Sequence, residues 1–393
     1  MRTCFFLLMI SLCCMGCGLS AKTQKSIYHV TAAQGLHADC PVVITDIPVW
    51  AQSAVVYDGD REVVSQLDAP LRELAFVDNI QGGRDYRIVW SSKPASRSYP
   101  PRVHAQMWLK NPDKTLTAAD TVASDRNDMY HKLHHHGPAF ESAFAAYRIY
   151  FDDKQTVDAY GKKQLRLELA ETNWYPTEEQ LGQEYGYDNL RVFGSVGVGT
   201  LKGWDGEKGK TTHITDYRRR EARILAKGPV RTVVEMRVEG WRYCGREIDM
   251  TSRYILYAGH SDFEVENRIE GDFHGLVFAT GIVRMIENKV VKDQEVITAY
   301  GRDYPENDTL KWERESVALA VAVPRGQIVS QIDDKSSYLF QLTPDAAGRI
   351  DYSAGMLWRR SGWLEDRGED EFLLDEINTL RQARRKVIVS RLR

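Results

Sequence analysis

Along most of the chain, apolar and polar residues alternate with a period of two, the mark of strands with one buried face. Ala54 to Leu67 (AVVYDGDREVVSQL) alternates around Asp58-Gly59, which predicts a hairpin. Ala75 to Ser92 (AFVDNIQGGRDYRIVWSS) predicts a second hairpin around Gly82-Gly83. Pro229 to Phe273 holds three strand-like runs, broken at Cys244-Gly245 and at Gly259 through Asp262. There Val233, Met236 and Val238 mix with Glu235, Arg237 and Glu239, as in an antiparallel meander with one face buried. Arg314 to Pro324 (RESVALAVAVP) is more continuously apolar and reads as a central strand. Tyr160-Gly161-Lys162 reads as a turn, with Leu165, Leu167 and Leu169 alternating as a strand after it.

Helical signal is sparse. Glu369 to Lys386 carries Phe372, Leu373, Ile377 and Leu380 on one face, with acids leading and bases ending as the helix dipole prefers. Thr177 to Gly186 (TEEQLGQEYG) fits one or two helical turns. No repeat of roughly 20–50 residues is visible, which argues against a propeller or solenoid. The expected class is therefore all-β: a large antiparallel β-sandwich with few short helices and one C-terminal helix. Polarity rises over Asn111 to Asp120, so the expectation is an N-terminal β segment at 22–110 and a main sandwich domain at 111–393.

Composition adds limits. The chain of 393 residues is 43% hydrophobic and 27% charged, which suits a large core and argues against disorder. A net charge of −3 gives no basic excess, so nucleic acid is not an expected partner. Residues 1–21 (MRTCFFLLMISLCCMGCGLSA) read as a secretory signal. Its end, CMGCG, resembles a lipobox with Cys17 as the lipidated residue, and cleavage after Ala21 is the alternative. The expectation is an exported, periplasmic protein anchored to the outer membrane by lipid. Beyond the signal stand Cys40 and Cys244, open either to a disulfide or to two free thiols, and no zinc-type cysteine spacing exists.

Candidate chemistry gathers around HKLHHHGPAFESAFAAYRIYFDD, His131 to Asp153, which holds four of the ten histidines. If this stretch were extended, His134 and His136 would share a face, a half-site for a divalent metal with His213, His260 or Asp125 as third ligand. Without metal, His135 or His136 could act as a general base. In the following strand Tyr147, Ile149 and Phe151 face one side and read as core. Ala146, Arg148 and Tyr150 face the other, where Arg148 could bind a carboxylate or pair with Glu141 or Asp158. Lys162, Trp174 and Tyr175 fall near strand ends as candidate sugar contacts. The glycine-rich stretch Tyr185 to Gly206 is neither a phosphate loop nor a dinucleotide fingerprint, and it offers Tyr187, Asp188 and Trp204. Trp363 closes the aromatic inventory of nine Trp and 19 Tyr.

Several long motifs carry a resemblance: HHHGPAFESAFAAYRIYFDDKQTVDAYGKK, ETNWYP, GSVGVGTLKGWDG, AKGPVRTVV, SRYILYAGHSDFEVEN and FATGIV. Together they resemble the exported bacterial family known as domain of unknown function 4861, over about residues 27 to 390. Members occur in polysaccharide-utilisation gene clusters, often beside enzymes acting on uronic-acid polymers. The strands around Arg253 to Asn267 also resemble those of the galactose-mutarotase-like sandwich. The resemblance brings no settled catalytic residues.

What it implies is a carbohydrate-active protein, with a lyase or dehydratase acting on uronic-acid oligosaccharides as the first expectation. Such an elimination needs a cation for the substrate carboxylate (Arg148 or a histidine-bound metal), a base (His135 or His136) and an acid (Tyr147, Tyr150 or Tyr187). A glycoside hydrolase using two of Glu141, Asp158, Glu171 and Asp188 is the second reading. A carbohydrate-binding lipoprotein without turnover is the third.

Overall fold

Three consecutive hairpin-linked strands, Arg231–Tyr243, Arg246–Tyr257 and Asp262–Gly271, build the middle of the molecule. The first turn is the two residues Cys244-Gly245, both with positive φ, as a tight hairpin requires. The computed structural model describes residues 21–305, 311–364, 373–374, 377 and 387–392. The three strands belong to a nine-stranded antiparallel sheet. On one side follow Arg219–Lys227 and Thr121–Ser124; on the other Arg349–Trp358, Glu315–Ala322, Val296–Asp303 and Glu287–Lys292. Glu315–Ala322 is interior, as its continuous apolar run predicts.

One face of this sheet packs on two five-stranded sheets. The first runs Tyr187–Asp188, Val157–Gly161, Ala145–Ile149, Ala139–Ser142, Val103–Gln106. The second runs Lys210–Thr212, Lys202–Asp205, Phe278–Val283, Ser337–Leu342, Ile328–Asp333. Phe140, Tyr147 and Ile149 from the first, Met236, Tyr254 and Phe263 from the large sheet, and Phe278 and Phe340 from the second share one core cluster. This is the antiparallel β-sandwich that the alternation predicts. The described residues include three short helices, Met129–Lys132, Leu169–Thr172 and Glu178–Gly182, the last with a Thr177 capping box.

The N-terminal strands form their own sheet, in which Thr23–Ile44 and Glu73–Ser91 run side by side. A last strand, Ile388–Arg391, returns to pair with Thr23–Ile44. This sheet has a separate core around Tyr28, Phe76 and Trp90. It rests on the large sheet through Ala75 and Val77 against Val233, Ile255 and Tyr257. The buried Arg231 adds ion pairs to Asp68 (2.7 Å) and Glu73 (2.5 Å). Trp108–Lys110 pairs with Leu116–Ala118 across the expected 110/111 boundary, and the strands that the chain's first part gives to the N-terminal sheet end at Ser91.

Three local expectations are corrected. Gly82-Gly83 is not a hairpin turn: the strand runs straight through, and the glycines lie opposite a bulge in the partner strand between Thr31 and Leu36. Gly161 ends a strand instead of turning, and a Cβ there would meet Asn189 and Trp358 at 2.3 and 2.4 Å. Leu165 lies in a bend, Leu167 in irregular chain, and Leu169 opens a helix; the Glu141 carboxylate accepts the Glu168 and Leu169 N–H groups at the start of that helix. The expected C-terminal helix lies outside the described residues apart from Leu373, Leu374 and Ile377, and residues 1–20 of the expected secretory signal, with Cys17, lie outside them too. Cys40 is buried, Cys244 is exposed, and both are free thiols.

Candidate functional site

The first five-stranded sheet turns Tyr147 and Ile149 into the core, so the alternate positions face outward. Strand register sets Gln106 beside Ala139, Ala139 beside Arg148, and Arg148 beside Asp158. One row along, Tyr160 stands beside Asp188. This outer face is itself covered: Leu169 and Trp174 pack on Ala139, Ala146 and Tyr160.

Arg148 lies at the centre and is buried with its hydrogen bonds occupied. Its Nε and Nη2 donate to Asp158 Oδ2 at 3.0 and 2.7 Å, and Nη2 also donates to Asp188 Oδ2 at 2.9 Å. Its Nη1 donates to the Tyr175 hydroxyl at 3.1 Å and Nη2 to the Tyr150 hydroxyl at 2.6 Å. The Tyr150 hydroxyl in turn donates to Asp158 Oδ2 at 2.8 Å. Tyr175 only accepts in this arrangement, so its O–H is left to point elsewhere. The guanidinium lies over the rings of Tyr150 and Trp174, at 4.7 and 4.6 Å.

Two carboxylates on one guanidinium nitrogen leave an excess negative charge in a dry place. Burial first, and then the neighbouring Asp158 charge, push the Asp188 carboxyl well above its ordinary range. That direction favours a proton on Asp188, which would make the trio neutral. Arg148 is thus not a bare cation waiting for a substrate carboxylate.

The histidines are held in a turn, not a strand. The helix Met129–Lys132 ends just before them, and His135 and His136 both have positive φ, 20° and 66°. The extended geometry assumed for a His134–His136 half-site is therefore absent. Among the described residues, no group of three or more His, Cys, Asp or Glu side chains is arranged to hold a metal ion. His136 Nδ1 sits 2.9 Å from the Tyr130 carbonyl oxygen, an acceptor only, so Nδ1 carries the proton and Nε2 the lone pair. The His136 ring stacks on Tyr130 at 4.0 Å and lies 6.1 Å from the Tyr150 ring. Burial lowers its pKa, which keeps it neutral. His134 meets the Tyr175 ring edge-on at 5.7 Å. His135 turns inward toward Gln106, 3.4 Å away, and burial drives its pKa down to about 3. Asn173 and Trp174, at φ 48° and 77°, add strained backbone on the other side of Arg148. Strain of this kind gathers where geometry is imposed for a purpose.

A family model, "Domain of unknown function (DUF4861)", matches residues 43–380. The chain belongs to this family. No curated protein matches it. Among solved structures, a protein in glycosyl hydrolase family 38 from Enterococcus faecalis is similar at 8% identity and a TM-score of 0.45. That match covers 94% of this chain and 47% of that one. An alpha-mannosidase from Enterococcus faecalis V583 is similar at 9% identity and a TM-score of 0.40, covering 94% and 46%. The chain spans about half the length of either structure.

In this DUF4861 protein the fold gathers His134, His136, Arg148, Tyr150, Trp174, Tyr175 and Asp188 around one cluster. Other candidates lie elsewhere. Tyr187, next to Asp188 on a strand, faces the opposite side and bonds Glu315 at 2.7 Å. Lys162 is buried in an ion pair with Glu141, so both are committed to structure. Trp204 packs with Val196, Ala279 and Leu339, and Trp363 stacks edge-on against Phe144 at 5.1 Å. Of the other carboxylates considered, Asp158 takes three donors on one oxygen, and Glu171 is bonded to Tyr185. Sequence reasoning missed Tyr130, which sets the His136 tautomer; its place six residues before His136 is a weak signal without the helix that brings it back.

Proposed function

We propose that this protein is an enzyme of acidic-oligosaccharide breakdown that cleaves or dehydrates a uronic acid residue by β-elimination. The observation that carries the reading is His136: a neutral imidazole with its basic Nε2 fixed by Tyr130, beside hydroxyl groups held by one buried arginine. The substrate carboxylate would accept from the proton on Asp188. His136 Nε2 would take the proton from the carbon beside that carboxylate. The electron pair left there forms the carbon–carbon double bond as the C–O bond one carbon further on breaks. The departing oxygen leaves as an alcohol or water, taking the Tyr175 hydroxyl proton. Tyr130 and Trp174 supply aromatic faces near the bound ring. The family's association with uronic-acid polymers supports the same substrate class. Export through the leader and lipid attachment at Cys17 belong to this proposal and would place the reaction in the periplasm.

The test is incubation of the purified protein with a panel of uronide oligosaccharides, read by ultraviolet absorbance and mass. New unsaturated product is expected, with loss of one water for dehydration or two fragments without added water for a lyase. His136→Gln should lower the rate by about 10²–10⁴ without lowering the melting temperature. Because burial depresses the His136 pKa, wild-type activity should persist below the ordinary histidine range and fall only as His136 finally takes a proton. Gain of one water in the products, or full activity in His136→Gln, would overturn the proposal.

A further inference from the structure

The outer face of the nine-stranded sheet carries a charge pattern that packing does not explain. Across its first strands the signs alternate: Arg223 stands opposite Glu235, Glu235 opposite Arg253, and Arg253 opposite Glu266. At the next pairing the pattern breaks. Glu266 stands directly opposite Asp351, and Arg268 directly opposite Arg349. Directly opposed residues approach to about 4.5–5.5 Å between Cβ atoms, and like charges at that distance cost stability. Exchanging Arg349 and Asp351 would make two favourable contacts, so the segregation carries a stability cost. Arg268 spends its Nε on Glu270 at 2.9 Å, and Arg349 makes no ion pair among the described residues.

These four side chains line a cavity of about 480 Å³, which Arg237 and Thr251 extend along the same row. Two more cavities, of about 320 and 220 Å³, meet it at Glu266, one of them running beneath the N-terminal sheet. Together they make a groove on the side of the large sheet away from the His136 cluster. Partial desolvation in the groove, and then the like charges of Glu264, Asp351 and Glu73, raise the proton affinity of Glu266.

We propose that the arginine-lined part of this groove, the cavity of about 480 Å³, is a second carbohydrate site that holds a carboxylated polysaccharide. The Arg268–Arg349 pair clamps the uronate carboxylate with charge-assisted hydrogen bonds, and Glu266 and Asp351 take the neighbouring hydroxyls. A polyuronate, with one charge per residue and free hydroxyls beside it, matches this pairwise division. A densely sulfated chain would set its charges against Glu266 and Asp351. The site adds hold on a polymer without taking part in the elimination.

Native gels cast with polygalacturonate, dextran sulfate or neutral dextran test it. Wild-type protein should be retarded by polygalacturonate, more weakly by dextran sulfate, and not by neutral dextran. The double variant Arg268→Gln/Arg349→Gln should lose roughly tenfold in affinity for polygalacturonate. It should melt no lower than wild type, because a repulsive pair has been removed. His136→Gln should bind as wild type, so failure of the elimination reading leaves this test intact. Unchanged retardation of the double variant, equal retardation in neutral dextran, or a preference for dextran sulfate would overturn the assignment.

Discussion

His135 and His136 are neighbours in sequence and opposites in environment. The turn directs His136 to Tyr130 and leaves it partly exposed, while His135 is sealed against Gln106 with its Nδ1 unpartnered. Burial lowers the His135 pKa to about 3, against 6.5 ordinarily. Between these values the unfolded chain binds a proton that the folded chain refuses. Stability is therefore complete above pH 6.5 and falls as pH drops, by roughly 1.4 kcal/mol per unit. Urea unfolding at pH 7 and pH 5 should show wild type losing about 2 kcal/mol more than His135→Gln over that interval. Equal losses would mean that His135 is not the sealed group described. The sequence shows three adjacent imidazoles but cannot rank them, because burial depends on a turn with positive φ at non-glycine residues. Likewise the outward face of Arg148 is legible from alternation, whereas its saturation by Asp158 and Asp188 depends on strand register.

At the scale of elements, the histidine turn is fixed by close backbone approach. Phe151 N–H donates to His136 O at 2.9 Å, and Ile149 N–H to Pro138 O at 3.0 Å. Gly137 lies between them, and a Cβ there would sit 1.8 Å from the Ile149 carbonyl oxygen. Gly137→Ala must therefore push the turn off the strand. It should cost about 1–3 kcal/mol in denaturant melts and displace His136 from its place beside Tyr150. Gly182→Ala, with open space around it and no positive φ, should stay within about 0.5 kcal/mol of wild type. If both variants melt alike, the close approach is not what holds the turn. Hairpins with two-residue turns were readable because their signal is local: Gly59-Asp60, one residue on from the expected Asp58-Gly59, and Cys244-Gly245 turn the chain where alternation breaks. Gly82-Gly83 misleads for the same reason, since only the irregularity in the partner strand distinguishes a bulge from a reversal.

At the scale of the whole molecule, alternation is enough to give an antiparallel sandwich but not the order of its strands. Thr121–Ser124 joins the large sheet beside Arg219–Lys227, about a hundred residues away in sequence, and Ile388–Arg391 returns to Thr23–Ile44. Such pairings are set by which faces remain uncovered, which no local pattern records. The returning strand closes the exposed edge of the N-terminal sheet. It sets Val389 beside Val30, packs Val387 and Val389 on the N-terminal core, and lines the groove beneath that sheet. The N-terminal sheet has its own core and meets the sandwich through a smaller apolar cluster, the Gln66 hydrogen bonds and the Arg231 ion pairs, so it should loosen before the large sheet. Val389→Asp, which sets a carboxylate against that apolar core, should cost about 1–3 kcal/mol there. Limited proteolysis should then cut first within residues 21–91, before the large sheet, while the His136 reaction keeps its wild-type rate. Polygalacturonate retention, which rests on Arg268 and Arg349, should stay at the wild-type level. Cleavage spread evenly along the chain would instead show that the N-terminal sheet and the sandwich unfold as one unit.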